Sequence, residues 1–191
     1  MSRSERCGVA ALCLIAAFLA SANAQTKDTP QRSADREDVQ GIEKISAYAG
    51  SWTIHIEHLA TPYSKASDEH TQLQNDCWRS GGFFACNQYV DGVSKALIVF
   101  TFDAASGKYT SYPIPTDGSA AGSGRLEIQG NVWTFPWEAK DGDKTTYFRV
   151  VNVFTAPDTI EYRQEFSTDK VKWTLMGRGE EKKTSGPPAR P

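Results

Sequence analysis

From Gly50 onward apolar and polar residues alternate, and turn residues break the alternation roughly every 8 to 14 positions. Successive strand residues point to opposite faces of a sheet, so a chain with this rhythm buries its apolar side chains as strands. The pattern predicts strands at Ser51 to Leu59, Glu69 to Trp78, Phe83 to Val90, Ser94 to Phe102, Lys108 to Tyr112, Gly124 to Gln129, Val132 to Glu138, Asp143 to Phe154, Thr159 to Phe166 and Val171 to Arg178. Asp91-Gly92, Ser106-Gly107, Asp117-Gly118, Gly130-Asn131 and Asp141-Gly142 supply the turn chemistry between them. Connections this short leave no room for crossover helices. The expectation is an all-β fold, an antiparallel up-and-down barrel of about ten strands, with an open β-sandwich or half-barrel as the alternative.

Several strands show which face is dry. Trp133, Phe135 and Trp137 alternate with Val132, Thr134 and Pro136, and Ile160, Tyr162, Gln164 and Phe166 alternate with Glu161, Arg163 and Glu165. A sheet with one aromatic face and one charged face can close on itself, which removes exposed edges. One short helix is expected before the strands, at Asp38 to Tyr48, where Val39, Ile42, Ile45 and Tyr48 recur at three-residue spacing. Gly41 weakens it by up to about 1 kcal/mol.

The N-terminus reads as a secretory leader. Arg3 and Arg6 precede an apolar run from Val9 to Ala20, and Ala22-Asn23-Ala24 supplies small residues for cleavage. Residues 1–24 are thus expected as a signal peptide, 25–40 as a flexible polar extension, 41–178 as the barrel and 179–191 as a flexible tail. The location implied is periplasmic or extracellular, and no later segment approaches the roughly 20 apolar residues of a membrane span. In an oxidising compartment Cys77 and Cys86 are expected to pair. Folding the chain about Gly81-Gly82 sets Cys77 opposite Cys86 as a non-hydrogen-bonded pair, with Cα atoms roughly 4.5 Å apart.

A formal net charge of −2, with 21 Lys plus Arg against 23 Asp plus Glu and no basic cluster, argues against a nucleic-acid partner. The chain contains no Gly-X-Ser-X-Gly, P-loop, Rossmann glycine pattern or His-Glu-X-X-His, so no enzymatic activity is expected and no cofactor is implied. Two constellations stand out. His58 and His70 face each other if the first hairpin is symmetric about Ser64, and two imidazoles at a barrel mouth could hold a metal or a haem iron; solvated rim positions are the plainer reading. Trp133, Phe135, Trp137, Tyr162, Gln164 and Trp173 either fill a core or line a ligand cavity, since ten strands enclose more volume than the eight whose side chains just fill a barrel. Gln164, on an otherwise apolar face, needs a partner.

Gly50-Ser51-Trp52 after a short helix resembles the calycin-like barrels, which include the lipocalins and fatty-acid-binding proteins. In that group the Trp of a Gly-X-Trp on strand one closes the bottom of the barrel. More narrowly, Tyr48-Ala-Gly-Ser-Trp52, Phe102-Asp-Ala-Ala-Ser-Gly-Lys-Tyr109 and Ser167-Thr-Asp-Lys-Val-Lys-Trp173 resemble a family of bacterial secreted lipocalin-like domains. The resemblance implies a fold and a compartment and implies no activity. Thr61 to Ser67 is too short for the helix-turn-helix lid of fatty-acid-binding proteins, and Tyr162-Arg163 does not match their Arg-X-Tyr.

The expected function is binding of a small, largely apolar molecule inside the barrel. The rivals are a packed structural or protein-interaction barrel with no ligand, and a metal- or haem-binding redox protein using His58 and His70.

Overall fold

The computed structural model describes residues 40–186, with the backbone alone over 67–70. The expected leader, and most of the polar extension, lie outside the described residues. Ten strands form one closed antiparallel barrel: β1 (Gly50–His58), β2 (Ser67–Ser80), β3 (Phe83–Val90), β4 (Val93–Asp103), β5 (Lys108–Pro115), β6 (Gly124–Gln129), β7 (Val132–Asp141), β8 (Lys144–Ala156), β9 (Thr159–Ser167) and β10 (Thr174–Ser185). Each strand pairs with its neighbours in sequence, and β1 closes the ring against β10. The sandwich and half-barrel alternatives are thereby excluded.

The alternation sets the inner face. In β1, Gly50, Trp52, Ile54 and Ile56 are buried while the residues between them are more exposed. The β2–β3 hairpin has the register read from its glycines, with Ser80 opposite Phe83, Trp78 opposite Ala85 and Cys77 opposite Cys86. Gly81 supplies the turn's positive φ of 57°. The two cysteine sulfurs lie 2.10 Å apart, at disulfide distance, with their Cα atoms 4.0 Å apart.

The helical segment covers residues 40–45 and runs into a 3-10 turn at Ser46–Tyr48. Ile42, Ile45 and Tyr48 are buried against one end of the barrel with Trp52, Phe84, Phe100, Tyr109, Leu126, Trp133 and Ile160. Two contacts seat it. Tyr109 Oη donates to the Gly41 carbonyl at 3.0 Å, and the Phe102 ring occupies the space where a Gly41 side chain would sit. Trp52 is fully buried and donates through Nε1 to the Tyr48 carbonyl at 3.0 Å. This end of the barrel is closed by stacked aromatics, Tyr48 on Trp52 at 5.1 Å and Trp133 against Phe154 at 4.8 Å.

β10 departs from the expected strand. It begins three residues later and continues to Ser185, so residues 179–185 belong to the wall rather than to a flexible tail. Gly177 and Gly179 obscure the strand in the sequence because glycine weakens strand propensity. Here both sit where β10 passes close to β1: a side chain at Gly179 would lie 2.6 Å from the His55 carbonyl oxygen and 2.9 Å from Ile54. Residues 168–173 instead form a turn in which Asp169 Oδ1 accepts from the Val171 and Lys172 amides at 2.8 Å each.

Candidate functional site

The closed wall is incompletely paired on one side. β6 is short, pairing with β5 only at Tyr109 to Ser111 and with β7 only at Val132 to Thr134. The stretch of β5 beyond Ser111 and the stretch of β7 beyond Thr134 therefore have no strand between them. The loop over 116–123 joins β5 to β6, and its Gly122 amide donates to the Pro113 carbonyl of β5 at 3.1 Å. Exposed Tyr112, Ile114 and Trp137 lie along the two sides of this gap.

Behind the gap, between it and the aromatic closed end, is a cavity of about 240 Å³. Leu73, Ile98, Phe100, Pro113, Phe135 and Val150 make its apolar walls, together with Cys86 of the disulfide. Its polar groups come from Tyr48, Asn75, Gln88, Ser111, Asn152, Tyr162 and Glu181. The strand register explains the grouping: Asn152 lies opposite Tyr162, Tyr162 opposite Gly179, and Asn75 between Trp52 and Gln88. All are inward positions on adjoining strands.

Glu181 anchors the polar end. Its side chain is 1% exposed, and no Lys or Arg pairs with it among the described residues. Tyr48 Oη donates to Glu181 Oε1 at 2.5 Å, and Asn75 Nδ2 donates to Tyr48 Oη at 2.9 Å and to Glu181 Oε1 at 3.2 Å. Gln88 Nε2 donates to Asn75 Oδ1 at 3.3 Å. Burial pushes the Glu181 carboxyl above its ordinary value, against the opposing pull of the Tyr48 and Asn75 hydrogen bonds. Burial first, then the Glu181 charge, pushes the Tyr48 and Tyr162 hydroxyls up. Asn152 is 7% exposed, and its Oδ1 is buried with no hydrogen-bond partner. A buried acceptor left unpaired costs about 1–3 kcal/mol.

Of the six residues expected to line a cavity, Phe135 and Tyr162 do. Trp133 is one step too deep, packed with Tyr48 and Phe154 at the closed end. Gln164 has the inward register, opposite Val150 and Gly177, but lies one pair further from the closed end than Tyr162 and does not reach the cavity. Trp137 extends past the end of β6 and stacks on Phe148 at 5.4 Å, leaving it 44% exposed. Trp173 sits in the turn before β10, with the Arg149 guanidinium 3.8 Å above its ring. Arg149 also binds Glu165 across the outer face, so Trp173 packs outside the barrel.

The histidine pairing fails on register. The β1–β2 ladder shifts between Ile56 and His58, so His58 lies opposite Ser67 and not His70. The hairpin is asymmetric because Thr61 and Ser64 close a tight turn of their own. His58 Nε2 is hydrogen-bonded to Thr71 Oγ1 at 2.9 Å, and the His70 side chain lies outside the described residues.

Asn75, Asn152 and Glu181 were not visible as site residues in the sequence. Asn152 interrupts an apolar run, Val150-Val151-Asn152-Val153-Phe154, and that interruption was the available signal. Glu181 lies in Glu180-Glu181-Lys182-Lys183, which reads as a solvated charge run.

The sequence matches no protein-family model and no curated protein. Among solved structures the chain is similar to the crystal structure of Rv2717c from M. tuberculosis, with a TM-score of 0.46 and 10% identity over 75% of this chain and 97% of that one. A likeness of that degree assigns no residue a role and identifies no ligand. These comparisons do not place the chain among the lipocalins.

Proposed function

We propose that the barrel binds a small, largely apolar molecule in the cavity behind the β5–β7 gap. The observation that carries this reading is a largely apolar space of about 240 Å³ whose lining includes the buried polar residues Asn75, Asn152 and Glu181. A packed structural barrel gives no reason to set buried polar side chains on the wall of a void. An apolar cavity of about 150 Å³ is enough to admit benzene, so this one suits a molecule of one substituted ring. The gap, flanked by Pro113 and Phe135, is the route in.

Propylbenzene is a suitable probe. A ligand that binds only the folded state raises the melting temperature in proportion to RT ln(1 + [L]/Kd). Propylbenzene should raise the melting temperature of the parent protein with saturating dependence on concentration. The substitution Phe135→Trp, which extends a lining side chain into the space, should abolish that rise while leaving the unliganded protein folded. A parent protein that shows no shift, together with a Phe135→Trp variant destabilised by about 1–3 kcal/mol as in an overfilled core, would establish the packed-barrel reading instead.

A further inference from the structure

A buried carboxylate normally has a cation beside it, because desolvating the charge costs several kcal/mol that only a close counter-charge or a proton returns. Glu181 has no such partner among the described residues, yet it sits at the polar end of a cavity rather than in a packed core. Its Oε1 already accepts from Tyr48 and Asn75, while its Oε2 has no hydrogen-bond partner among the described residues. Tyr162, on the strand between Asn152 and Glu181, lines the cavity, and its Oη has no hydrogen-bond partner among the described residues either. The Tyr48 hydroxyl and the Asn75 amide are engaged with each other and with Glu181 Oε1. What this end of the cavity lacks is a positive charge.

We propose that the ligand is an amphipathic primary amine, bound with its ammonium group at Glu181 Oε2 and its apolar body against Leu73, Ile98, Phe135 and Val150. The inference rests on the ligand-binding reading above and specifies the chemical class. An ammonium group brings N–H donors and one positive charge, which matches the free Oε2 and the unpaired charge of the Glu181 carboxylate. Tyr162 Oη can accept a second N–H. A fatty acid or another anion is disfavoured at the same place, since it would set a second negative charge beside Glu181.

The test compares three probes of nearly equal size on the full-length mature protein by calorimetric titration: 2-phenylethylamine, 2-phenylethanol and propylbenzene. The amine should bind about tenfold or more tighter than the alcohol, the usual advantage of a charge-assisted hydrogen bond over a neutral one. Glu181→Gln should remove that preference, weakening the amine about tenfold or more relative to the alcohol. If the wild-type protein binds all three equally, or if Glu181→Gln keeps the preference, the amine proposal is wrong and the ligand-binding reading stands. If none of the three binds, both are wrong.

A measurement on the unaltered protein covers the case in which Glu181→Gln does not fold. In the NMR spectrum of the amine complex, the methylene beside the nitrogen should show contacts to the Tyr48 and Tyr162 rings. The phenyl ring should show contacts to Leu73 and Ile98. The reverse orientation, with nitrogen towards the β5–β7 gap, would overturn the proposal.

Discussion

A carboxyl group that is 1% exposed, with no Lys or Arg paired to it among the described residues, is tolerated when a proton or a cation neutralises it. Burial of Glu181 favours its protonated form, and stability should then depend on pH. The ordinary carboxyl value is 4.5, and burial raises that of Glu181 in the folded state. A group whose folded value is raised contributes fully below its unfolded value, and the contribution is lost as pH rises through the folded value. The titratable groups facing it are Tyr48 from the 3-10 turn and Tyr162 from β9, both pushed further up and so neutral throughout this range. Urea unfolding of the parent and Glu181→Gln proteins should therefore diverge. Relative to the variant, the parent should lose stability as pH rises from about 4.5 towards neutrality. A difference that does not change with pH would mean that Glu181 does not titrate as its burial requires.

Two elements hold the cavity's closed end in place, and each can be tested alone. Replacing a helical glycine by alanine ordinarily stabilises by up to about 1 kcal/mol. At Gly41 a methyl group would overlap the Phe102 ring, so Gly41→Ala should destabilise instead, by about 1–3 kcal/mol in a denaturant titration. The β2–β3 hairpin carries the Cys77–Cys86 link, and Cys86 borders the cavity. Closing a loop of this size contributes about 2.5 to 3 kcal/mol on the chain-entropy account, so the double alanine variant should lose that much. Labelling the denatured, unreduced protein should find neither cysteine free.

Much of this level was legible beforehand, because a two-residue glycine turn and strict alternation fix a register locally; Cys77 opposite Cys86 follows from counting. Where a bulge or a tight turn intervenes, counting fails, as at His58, whose ladder slips before it reaches Ser67. The end of β10 was hidden for another reason. Gly177 and Gly179 are required by contact with β1, a neighbour distant in sequence. Depth along the barrel axis is likewise a tertiary property. Alternation placed Trp133, Phe135 and Trp137 on one face but could not say that one is in the closed end, one on the cavity and one beyond the wall.

At the scale of the whole molecule, the ring of strands separates a filled half from a hollow one. Tyr48, Trp52, Trp133 and Phe154 pack the first, and along the second β6 is too short to lie between β5 and β7. On the reading proposed above, the inward Glu181, Asn75 and Asn152 and the apolar wall of the hollow half line a binding site. Methyl-labelled protein titrated with propylbenzene and followed by NMR tests this most directly. The account predicts saturable, single-site shifts at the methyl groups of Leu73, Ile98 and Val150, with exposed Val93 and Val171 unmoved. No shift at the three interior positions up to the solubility of the probe, or shifts at the exposed valines alone, would contradict it.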